Sequence, residues 1–398
     1  MNPANQNVPV GTLFKVFLRL GLTSFGGPIA HLSYFRNEFV TRRRWFDEPT
    51  YADLVALCQF LPGPASSQVG IGIGLAKGGL PGAFVAWLAF TLPSALALML
   101  FGLSMSVMGA FTHSGWFHGL KVVTVAVVAQ AVWGMARTLC PDRERISIMV
   151  LAAMAVLAWP TAGKQVAVII AGALAGLAFL KFSPTEKHTA LGVPVSRRLG
   201  IAALTLFTVL LVGLPFASAM FPFHQIALID SFYRAGSMVF GGGHVVLPLL
   251  QALVVQPGWI SNDSFLAGYG AAQAVPGPLF TFAGYLGMVM TPAPNGWIGG
   301  VICLIAIFLP SFLLVVGILP FWDELRRQKR IRTALGGVNA AVVGILLAAL
   351  YRPVWTSGIL SVADFGIAIG AFTLLQFWKM PSWIVVGLSA VAGAAFTL

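Results

Sequence analysis

Charged residues are scarce in this chain of 398 residues: Asp, Glu, Lys and Arg together make up 9%, whereas hydrophobic residues make up 58%. Soluble domains carry about 25% charged residues, so this composition excludes a water-soluble fold. Several long stretches contain none of the four, among them residues 80–110, 146–163, 199–229 and 264–322. A transmembrane helix needs roughly 20 apolar residues. The sequence therefore predicts a polytopic protein in a lipid bilayer.

The motifs of several enzyme classes are absent as well. The three cysteines, Cys58, Cys140 and Cys303, are far apart and form no C-x-x-C pair, which argues against a disulfide, zinc or redox role. The sequence contains neither a phosphate-binding G-x-x-x-x-G-K-[ST] loop nor an H-E-x-x-H metal motif. Between Arg234 and Asp323 the only Asp, Glu, Lys or Arg is Asp263. We expect no cofactor and no metal, and an intramembrane enzyme is the alternative that these absences disfavour.

The net charge of +12 is explained by membrane orientation rather than by a nucleic acid partner. Basic residues lie between the apolar stretches, and basic loops mark the cytoplasmic side of a membrane protein. The first ten residues lack the basic start and cleavage site of a secretory signal. We therefore expect a bacterial inner (plasma) membrane protein with a cytoplasmic amino terminus and a periplasmic carboxyl terminus.

An internal repeat becomes visible when the chain is shifted by about 215 residues. The segment R-L-G-L-T-S-F-G-G-P from Arg19 then lies over R-A-G-S-M-V-F-G-G-G from Arg234, and the P-G-P at 62–64 lies over the P-G-P at 276–278. The basic loop at 42–44 matches a loop without basic residues, whereas uncharged residues 111–117 match the basic segment 326–332. The positive side swaps, so the second copy is predicted to be inverted in the membrane.

The predicted fold is an all-α polytopic membrane protein with two inverted-topology repeats. Each repeat has two broken-helix hairpins followed by four transmembrane helices, and one extra transmembrane helix at 199–220 joins them, since an inversion needs an odd number of crossings. The predicted units are 1–190, 191–222 and 223–398. The predicted spans are 80–110, 119–136, 146–159, 165–180, 297–321, 333–350, 365–378 and 381–398.

The helix breaks are the predicted site. Helical runs at 12–25 and 29–40 are joined by G-G-P, and runs at 51–61 and 65–76 by P-G-P. The amide groups at the start of each second run lack helical partners and attract anions together with the helix dipole. Recurrent breaks of this kind point to a transporter site near the midplane. The alternative is that glycine and proline only permit kinks and close helix packing.

Polar residues in or near the breaks are further candidates. Arg19 and Arg234 are equivalent by the repeat and could hold an anion, or could extend to the membrane interface. Hydroxyl and amide donors are offered by Ser24, Ser66, Ser67, Gln68, Gln273 and Thr281, with helix-to-helix hydrogen bonds as the alternative. His31 and His244 could titrate with pH or simply pack. Gating or coupling candidates are His31, Arg36, Glu38, Lys77 and Lys121.

These motifs resemble those of the chromate ion transporter family in its long, duplicated form. The resemblance rests on F-G-G-P, F-L-P-G-P, F-G-G-G followed by V-V-L-P, and A-V-P-G-P. The matching positions are Gly26, Gly27, Pro28, Pro62, Gly63, Pro64, Gly241, Gly242, Gly243, Pro276, Gly277 and Pro278. The resemblance implies export of chromate and chromate resistance.

Sulfate or another oxyanion stays an alternative substrate, because backbone amides recognise charge and shape. We expect alternating access in which the two halves rock around the anion, driven by membrane potential with protons as an optional coupling ion. The sequence leaves the oligomeric state open, with a homodimer as one option.

Overall fold

The computed structural model describes residues 8–108, 115–158, 162–181, 195–240, 243–325 and 328–396. Within these ranges the chain is helical and forms no β-strand. This is the expected solution for an apolar chain, since a helix satisfies its backbone hydrogen bonds internally where no water is available.

The first half forms two broken hairpins and then longer helices. In chain order the helices are α1 (Val10–Thr23), α2 (Gly27–Arg36), α3 (Glu48–Phe60), α4 (Ala65–Met108), α5 (Gly115–Leu139), α6 (Arg143–Ala158) and α7 (Ala162–Phe179). The α4 helix is kinked at Gly79, whose φ of 62° lies in the left-handed region. Its first part completes the second hairpin and its second part is a long apolar helix.

The linking helix and the second half follow. Their helices are α8 (Arg197–Met220), α9 (His224–Met238), α10 (Val246–Leu250), α11 (Asn262–Ala272), α12 (Phe282–Val289), α13 (Gly296–Ile318), α14 (Trp322–Leu325), α15 (Lys329–Ala349), α16 (Thr356–Gly358), α17 (Val362–Gln376) and α18 (Ser382–Phe396). Short 3₁₀ turns precede α10 and α12.

The repeat predicted from sequence is confirmed in the order of the helices. α1 and α2 correspond to α9 and α10, α3 to α11, and the two parts of α4 to α12 and α13. α5, α6 and α7 correspond to α15, α17 and α18. Even the π-helical turn that follows α2, Asn37–Arg42, recurs after α10 as Gln251–Val255. α8 has no counterpart, as expected for the helix that joins inverted copies.

Helix length divides the predicted spans into two groups. Five helical segments in the described ranges are long and apolar enough to cross a bilayer: Ala65–Met105, Gly115–Leu139, Arg197–Met220, Gly296–Leu325 and Lys329–Gly358. α6, α7, α17 and α18 have 15 to 18 residues, or about 22–27 Å at 1.5 Å per residue. They form two hairpins that are short for a hydrocarbon core of about 30 Å.

The two halves exchange helices instead of packing as separate bodies. α5 from the first half packs along α17 and α18 from the second, whereas its counterpart α15 packs along α6 and α7 from the first. Glycines allow the close approach: a Cβ atom on Gly119 would lie 2.8 Å from the Cα of Ala390, and one on Gly337 would lie 2.7 Å from the Cα of Gly176. Small residues at such crossings are typical of membrane helices.

The joining helix α8 lies at the periphery. It packs against α9 and α13, and only 11% of its most apolar window is buried inside the protein. It carries no charged residue between Leu199 and Met220 and is mostly apolar there, which suits a helix that faces lipid on most of its surface.

Replacing Gly337 with alanine is expected to destabilise the interlocked helices, because the new methyl group would overlap the backbone of Gly176 and the carbonyl group of Gly172. Overpacking of this kind costs about 1–3 kcal/mol. The melting temperature of the purified protein in detergent should fall. Gly370→Ala on α17 is the matched control, since its Cβ atom would meet nothing within 4 Å; equal melting of both variants would contradict the close packing.

Candidate anion-binding site

Two reciprocal backbone hydrogen bonds join the helix breaks of the two halves. The amide of Gly277, in the second P-G-P, donates to the carbonyl oxygen of Ser24, just before the first G-G-P, over 2.9 Å. The amide of Gly63, in the first P-G-P, donates to the carbonyl oxygen of Val239 over 2.6 Å. Gly63 and Gly277 are equivalent by the repeat, and so are Ser24 and Val239. Each half therefore caps the broken helix of the other.

The glycines are needed at these junctions for two reasons. Gly63 and Gly277 have φ values of 123° and 95°, in the left-handed region that side chains disfavour. Space is also limited, because a Cβ atom on Gly277 would lie 2.8 Å from Ser94 Oγ and one on Gly63 would lie 2.9 Å from Ser311 Oγ. Ser94 and Ser311 are again equivalent by the repeat, so the packing of both junctions follows one pattern.

The two F-G-G breaks also meet directly. A Cβ atom on Gly243 would lie 3.7 Å from Cγ of Pro28, and these residues occupy the same position in the two copies. The contact of equivalent residues marks the pseudo-two-fold axis between the halves. The described parts of the four breaks thus form one contiguous cluster; Gly241 and Gly242 lie outside the described residues.

A cavity of about 360 Å³ opens beside this cluster. It is lined by residues from the first F-G-G break, from α2, from α5, from the second pair of breaks and from the turn between α17 and α18. Its lining consists of Phe25, Gly26, Gly27, Pro28, Tyr34, Val127, Gln130, His244, Ala272, Gln273, Val275, Gly277, Leu279, Leu375, Lys379, Met380, Pro381, Ser382 and Trp383.

The electrostatics of the cavity favour an anion. Among the described residues of its lining, Lys379 is the one with a fixed positive charge and none is acidic. The first turn of α2 starts at Gly27 and its amide groups have no helical partners. The volume is ample for a small tetrahedral oxyanion with some of its water. Helix dipole, amide groups and lysine together can neutralise such an ion.

Neutral polar groups supplement these charges. The buried amide nitrogen Nε2 of Gln273 has no hydrogen-bond partner in the described part of the chain, and Gln273 lines the cavity. His244 shares a hydrogen bond of 2.8 Å between Nδ1 and the hydroxyl of Tyr269. Gln130 donates from Nε2 to the carbonyl oxygen of Leu375 over 3.2 Å, which fixes α17 against α5.

His31 stabilises the first break rather than lining the cavity. Its Nε2 lies 3.1 Å from the carbonyl oxygen of Ser24, and its Nδ1 lies 3.3 Å from the hydroxyl oxygen of Ser66. Because a carbonyl oxygen can only accept, Nε2 carries the proton and Nδ1 accepts from the serine. The Ser24 carbonyl thus accepts from both His31 and Gly277. A role of His31 in proton coupling stays a prediction.

Other predicted donors use their side chains to bond to the backbone of the breaks. Gln68 donates from Nε2 to the carbonyl oxygen of Pro62 over 2.6 Å, and Thr281 donates to that of Pro278 over 2.7 Å. Pro64 and Pro276 flank these bonds. The hydroxyl groups of Ser24 and Ser67 are buried and have no hydrogen-bond partner among the described residues, and neither serine belongs to the described lining of the cavity.

Arg19 and Arg234 lie away from the cavity. Arg19 is on the exposed face of α1, and Arg234 forms an ion pair with Asp230 one turn earlier on α9. The described lining of the cavity contains neither of them. A direct role of these arginines in holding an anion stays a prediction without support from the cavity geometry.

The gating and coupling candidates are spread over several regions. Arg36 pairs with Glu48 at 2.6 Å, and Glu38 pairs with Arg43 at 2.6 Å and with Arg42 at 3.1 Å. Burial alone would raise the pKa of the Glu38 carboxyl in the polar π-helical turn after α2, but the hydrogen bonds from Arg43 and Arg42 outweigh it and lower the pKa.

Two buried lysines complete the set. Lys77 is fully buried near the kink of α4, with Nζ 4.8 Å from the ring centre of Phe46. Lys121 on α5 lies 3.2 Å from Asp263. Both lie outside the described lining of the cavity.

Sequence reasoning missed Lys379, Gln130, Tyr34 and Trp383. Gln130 and Tyr34 lie within helices, where no local pattern distinguishes them from other polar residues. A signal for Lys379 did exist: at the repeat offset of 215 it falls on Lys164, so each copy carries a lysine near the tip of its last hairpin. Trp383 contacts the first break through Phe25, with ring centres 6.3 Å apart.

An apolar helical fold with inverted repeats and a cavity at their helix breaks defines a membrane transport protein. The sequence profile of the family described as "Chromate transporter" matches residues 11–177 and 226–394, once in each half. The chain belongs to the chromate transporter family.

Individual relatives agree with this assignment. The chain is 29% identical to "Probable chromate transport protein" from Synechococcus elongatus, over 96% of this chain and 95% of that protein. It is 29% identical to "Chromate transport protein" from Pseudomonas aeruginosa, over 84% and 78% of the two chains. It is 30% identical to "Uncharacterized transporter YwrA" from Bacillus subtilis, over 42% of this chain and 96% of the relative, which corresponds to a single repeat. No solved structure matches the chain.

The reciprocal bonds predict that Gly277→Ala destabilises the site by more than the backbone strain alone. A left-handed residue other than glycine costs about 1–2 kcal/mol, and the methyl group would also meet Ser94 Oγ. The melting temperature should fall, and a second change, Ser94→Ala, should restore part of the loss. Gly258→Ala is the control, because its φ is 80° and its surroundings are open; an equal loss in both variants would refute the steric part.

Proposed function

We propose that the protein is a secondary transporter that exports chromate, a tetrahedral dianion, across the bacterial inner membrane and thereby confers chromate resistance. The observation that carries this proposal is the cavity at the interlocked helix breaks, whose described lining holds one cation and no acidic residue. Membership in the chromate transporter family, with relatives named as chromate transport proteins, supports the substrate.

The position of the cavity favours loading from the cytoplasm. α2 leads from Gly27 in the cavity to the basic loop at residues 42–44, which the positive-inside rule assigns to the cytoplasm. Tyr34 lines the cavity on the part of α2 that faces this loop. A cytoplasmic opening is the state in which an exporter takes up its substrate.

Membrane potential is a sufficient driving force. Moving one charge through 100 mV is worth about 2.3 kcal/mol, so expelling a dianion from a negative interior yields about 4.6 kcal/mol. This energy supports a gradient of roughly a thousandfold. Protons are an additional coupling ion in this proposal only if His31 or His244 changes its charge during transport.

The exchanged helices alter the expected mechanism of alternating access. Rocking of one sequence half against the other would separate α5 from α18 and α15 from α7, which are in backbone contact at Gly119 and Gly337. We therefore propose that these helices form a fixed frame, and that the broken hairpins move within it. The reciprocal bonds of Gly63 and Gly277 are the contacts that such a movement would make and break in turn.

Sulfate is the second candidate substrate. The groups that face the cavity recognise negative charge and oxygen atoms rather than the central atom, so the geometry suits sulfate, molybdate and chromate alike. Competition between these anions separates the candidates.

Transport by the purified protein in liposomes is expected to follow voltage and substrate charge. Labelled chromate should accumulate when the compartment opposite the cytoplasmic face is made positive, and excess unlabelled chromate should drive counterflow. A pH gradient imposed at zero voltage should have a smaller effect. Liposomes with heat-denatured protein are the control.

Three outcomes decide the proposal. Sulfate uptake that chromate fails to inhibit would shift the substrate to sulfate. Accumulation that depends on pH alone would replace voltage by proton coupling. Absence of uptake for every oxyanion, with correctly inserted protein, would refute an anion transporter.

A further inference from the structure

The turn between α17 and α18 brings Lys379 to the cavity from the far end of the sequence. This turn carries the cationic side chain of the described cavity lining, which it shares with Gly26, Gly27 and Pro28 at the start of α2. We propose that Lys379 is the residue that binds the transported oxyanion through its charge, with the first turn of α2 on the other side of the ion. This inference rests on the proposed function and names the residue that serves it.

The side chain of Lys379 is exposed, and the position of its turn along the neighbouring helix argues for a functional role. Gln130 is bonded to Leu375 at the end of α17, and α5 continues from Gln130 to Leu139. α17 and α5 run parallel, since His118 and Asp364 near their starts are also paired, at 2.8 Å. The turn after Leu375 thus ends about 10 Å short of the end of α5. A lysine at this depth within a membrane is a functional candidate.

The backbone at Lys379 supports the same conclusion. The amide of Met380 donates to the carbonyl oxygen of Leu374 over 3.0 Å, a bond that spans the turn. Lys379 lies in the left-handed region, with φ of 52°. Glycine is the usual residue in this conformation and asparagine is tolerated, so a lysine occupies a position whose conformation disfavours it.

Two other roles of a lysine at this place are possible on chemical grounds, and the test separates them. A cation at the end of a helix interacts with the helix dipole and stabilises the fold. A lysine beside the exposed side chains of Phe377 and Trp378 can also bind the phosphate of a lipid headgroup at the interface. A transported oxyanion and a lipid phosphate both present negatively charged oxygen atoms to a lysine, so the experiments below vary the free anion and the lipid separately.

The first measurement is equilibrium binding of labelled chromate and sulfate to the purified protein in phosphatidylcholine nanodiscs. Lys379→Asn should weaken binding of both by about tenfold or more, through loss of one charge. Its melting temperature should stay equal or rise, because asparagine suits the left-handed turn. Lys379→Arg should bind nearly as the wild type does. Lys181→Asn, which removes an exposed lysine at the end of α7, should leave binding unchanged.

The results separate this inference from the proposed function. Unchanged binding by Lys379→Asn, with wild-type protein binding normally, would overturn the role of Lys379 and leave the transporter intact. Failure of the wild type to bind any oxyanion would overturn both. A fall in melting temperature that accounts for the lost binding of Lys379→Asn would assign the lysine to the fold.

The second measurement restores the charge chemically. Lys379→Cys is treated with a methanethiosulfonate that adds either an aminoethyl or a sulfonatoethyl group, and sulfate binding is measured, because chromate oxidises thiols. The aminoethyl adduct should restore binding and the sulfonatoethyl adduct should not. Wild-type protein is the control, since Cys58, Cys140 and Cys303 are buried. Equal binding by both adducts would overturn the proposal.

The lipid source is tested with the same variant. Sulfate should slow the labelling of Lys379→Cys in nanodiscs of phosphatidylcholine alone. Protection that appears only when phosphatidylglycerol is added, and not with sulfate, would assign Lys379 to lipid phosphate and overturn the proposal.

Discussion

The structure depends on two backbone hydrogen bonds between the halves of the chain, one donated by each half to the other. Gly277 caps the carbonyl group left open at Ser24, and Gly63 caps that at Val239. A broken helix within a membrane has no water to satisfy its free carbonyl group, so each break needs a donor from within the protein; the other repeat supplies one at both breaks, and His31 supplies a second at Ser24. Because the repeat is duplicated in opposite orientation, the same glycine-to-carbonyl hydrogen bond forms twice, once at each break. The breaks can then expose amide groups to a cavity without leaving their carbonyl groups unpaired.

Features that recur in both copies of the repeat and features found in only one copy lie in different parts of this molecule. The junction glycines, the serines that pack against them and the π-helical turns recur in both copies. Three polar side chains of the cavity do not recur: at the repeat offset, His244 corresponds to Ile29, Gln130 to Ile345 and Tyr34 to Leu249. The repeated residues therefore form the backbone framework of the breaks, and polar residues that are present in only one copy line the cavity. That division suits a carrier whose two membrane faces must treat the same ion differently.

Much of the fold could be predicted from the sequence because its determinants are local. Glycine and proline at 26–28 and 62–64 end helices wherever they lie, and the swap of basic loops fixes the inversion. The contacts between the halves could not be predicted, since the pairing of α5 with α18 depends on glycines such as Gly119 and Gly393 whose partners lie far along the chain. Lys379 was missed although it falls on Lys164 at the repeat offset, because its place in the cavity lining beside Gly27 depends on the fold. Conversely, Arg19 and Arg234 stood out in the sequence, yet they lie outside the cavity lining.

The exchange of helices has a consequence for biosynthesis. α5 leaves the ribosome more than 220 residues before α17 begins at Val362, and until then its glycine-lined face has no protein partner. The tertiary structure around α5 can close only after α17 and α18 have been synthesised. Membrane insertion of the first half and completion of its packing are thus separated in time, and the hairpin that completes this packing also carries Lys379 to the cavity.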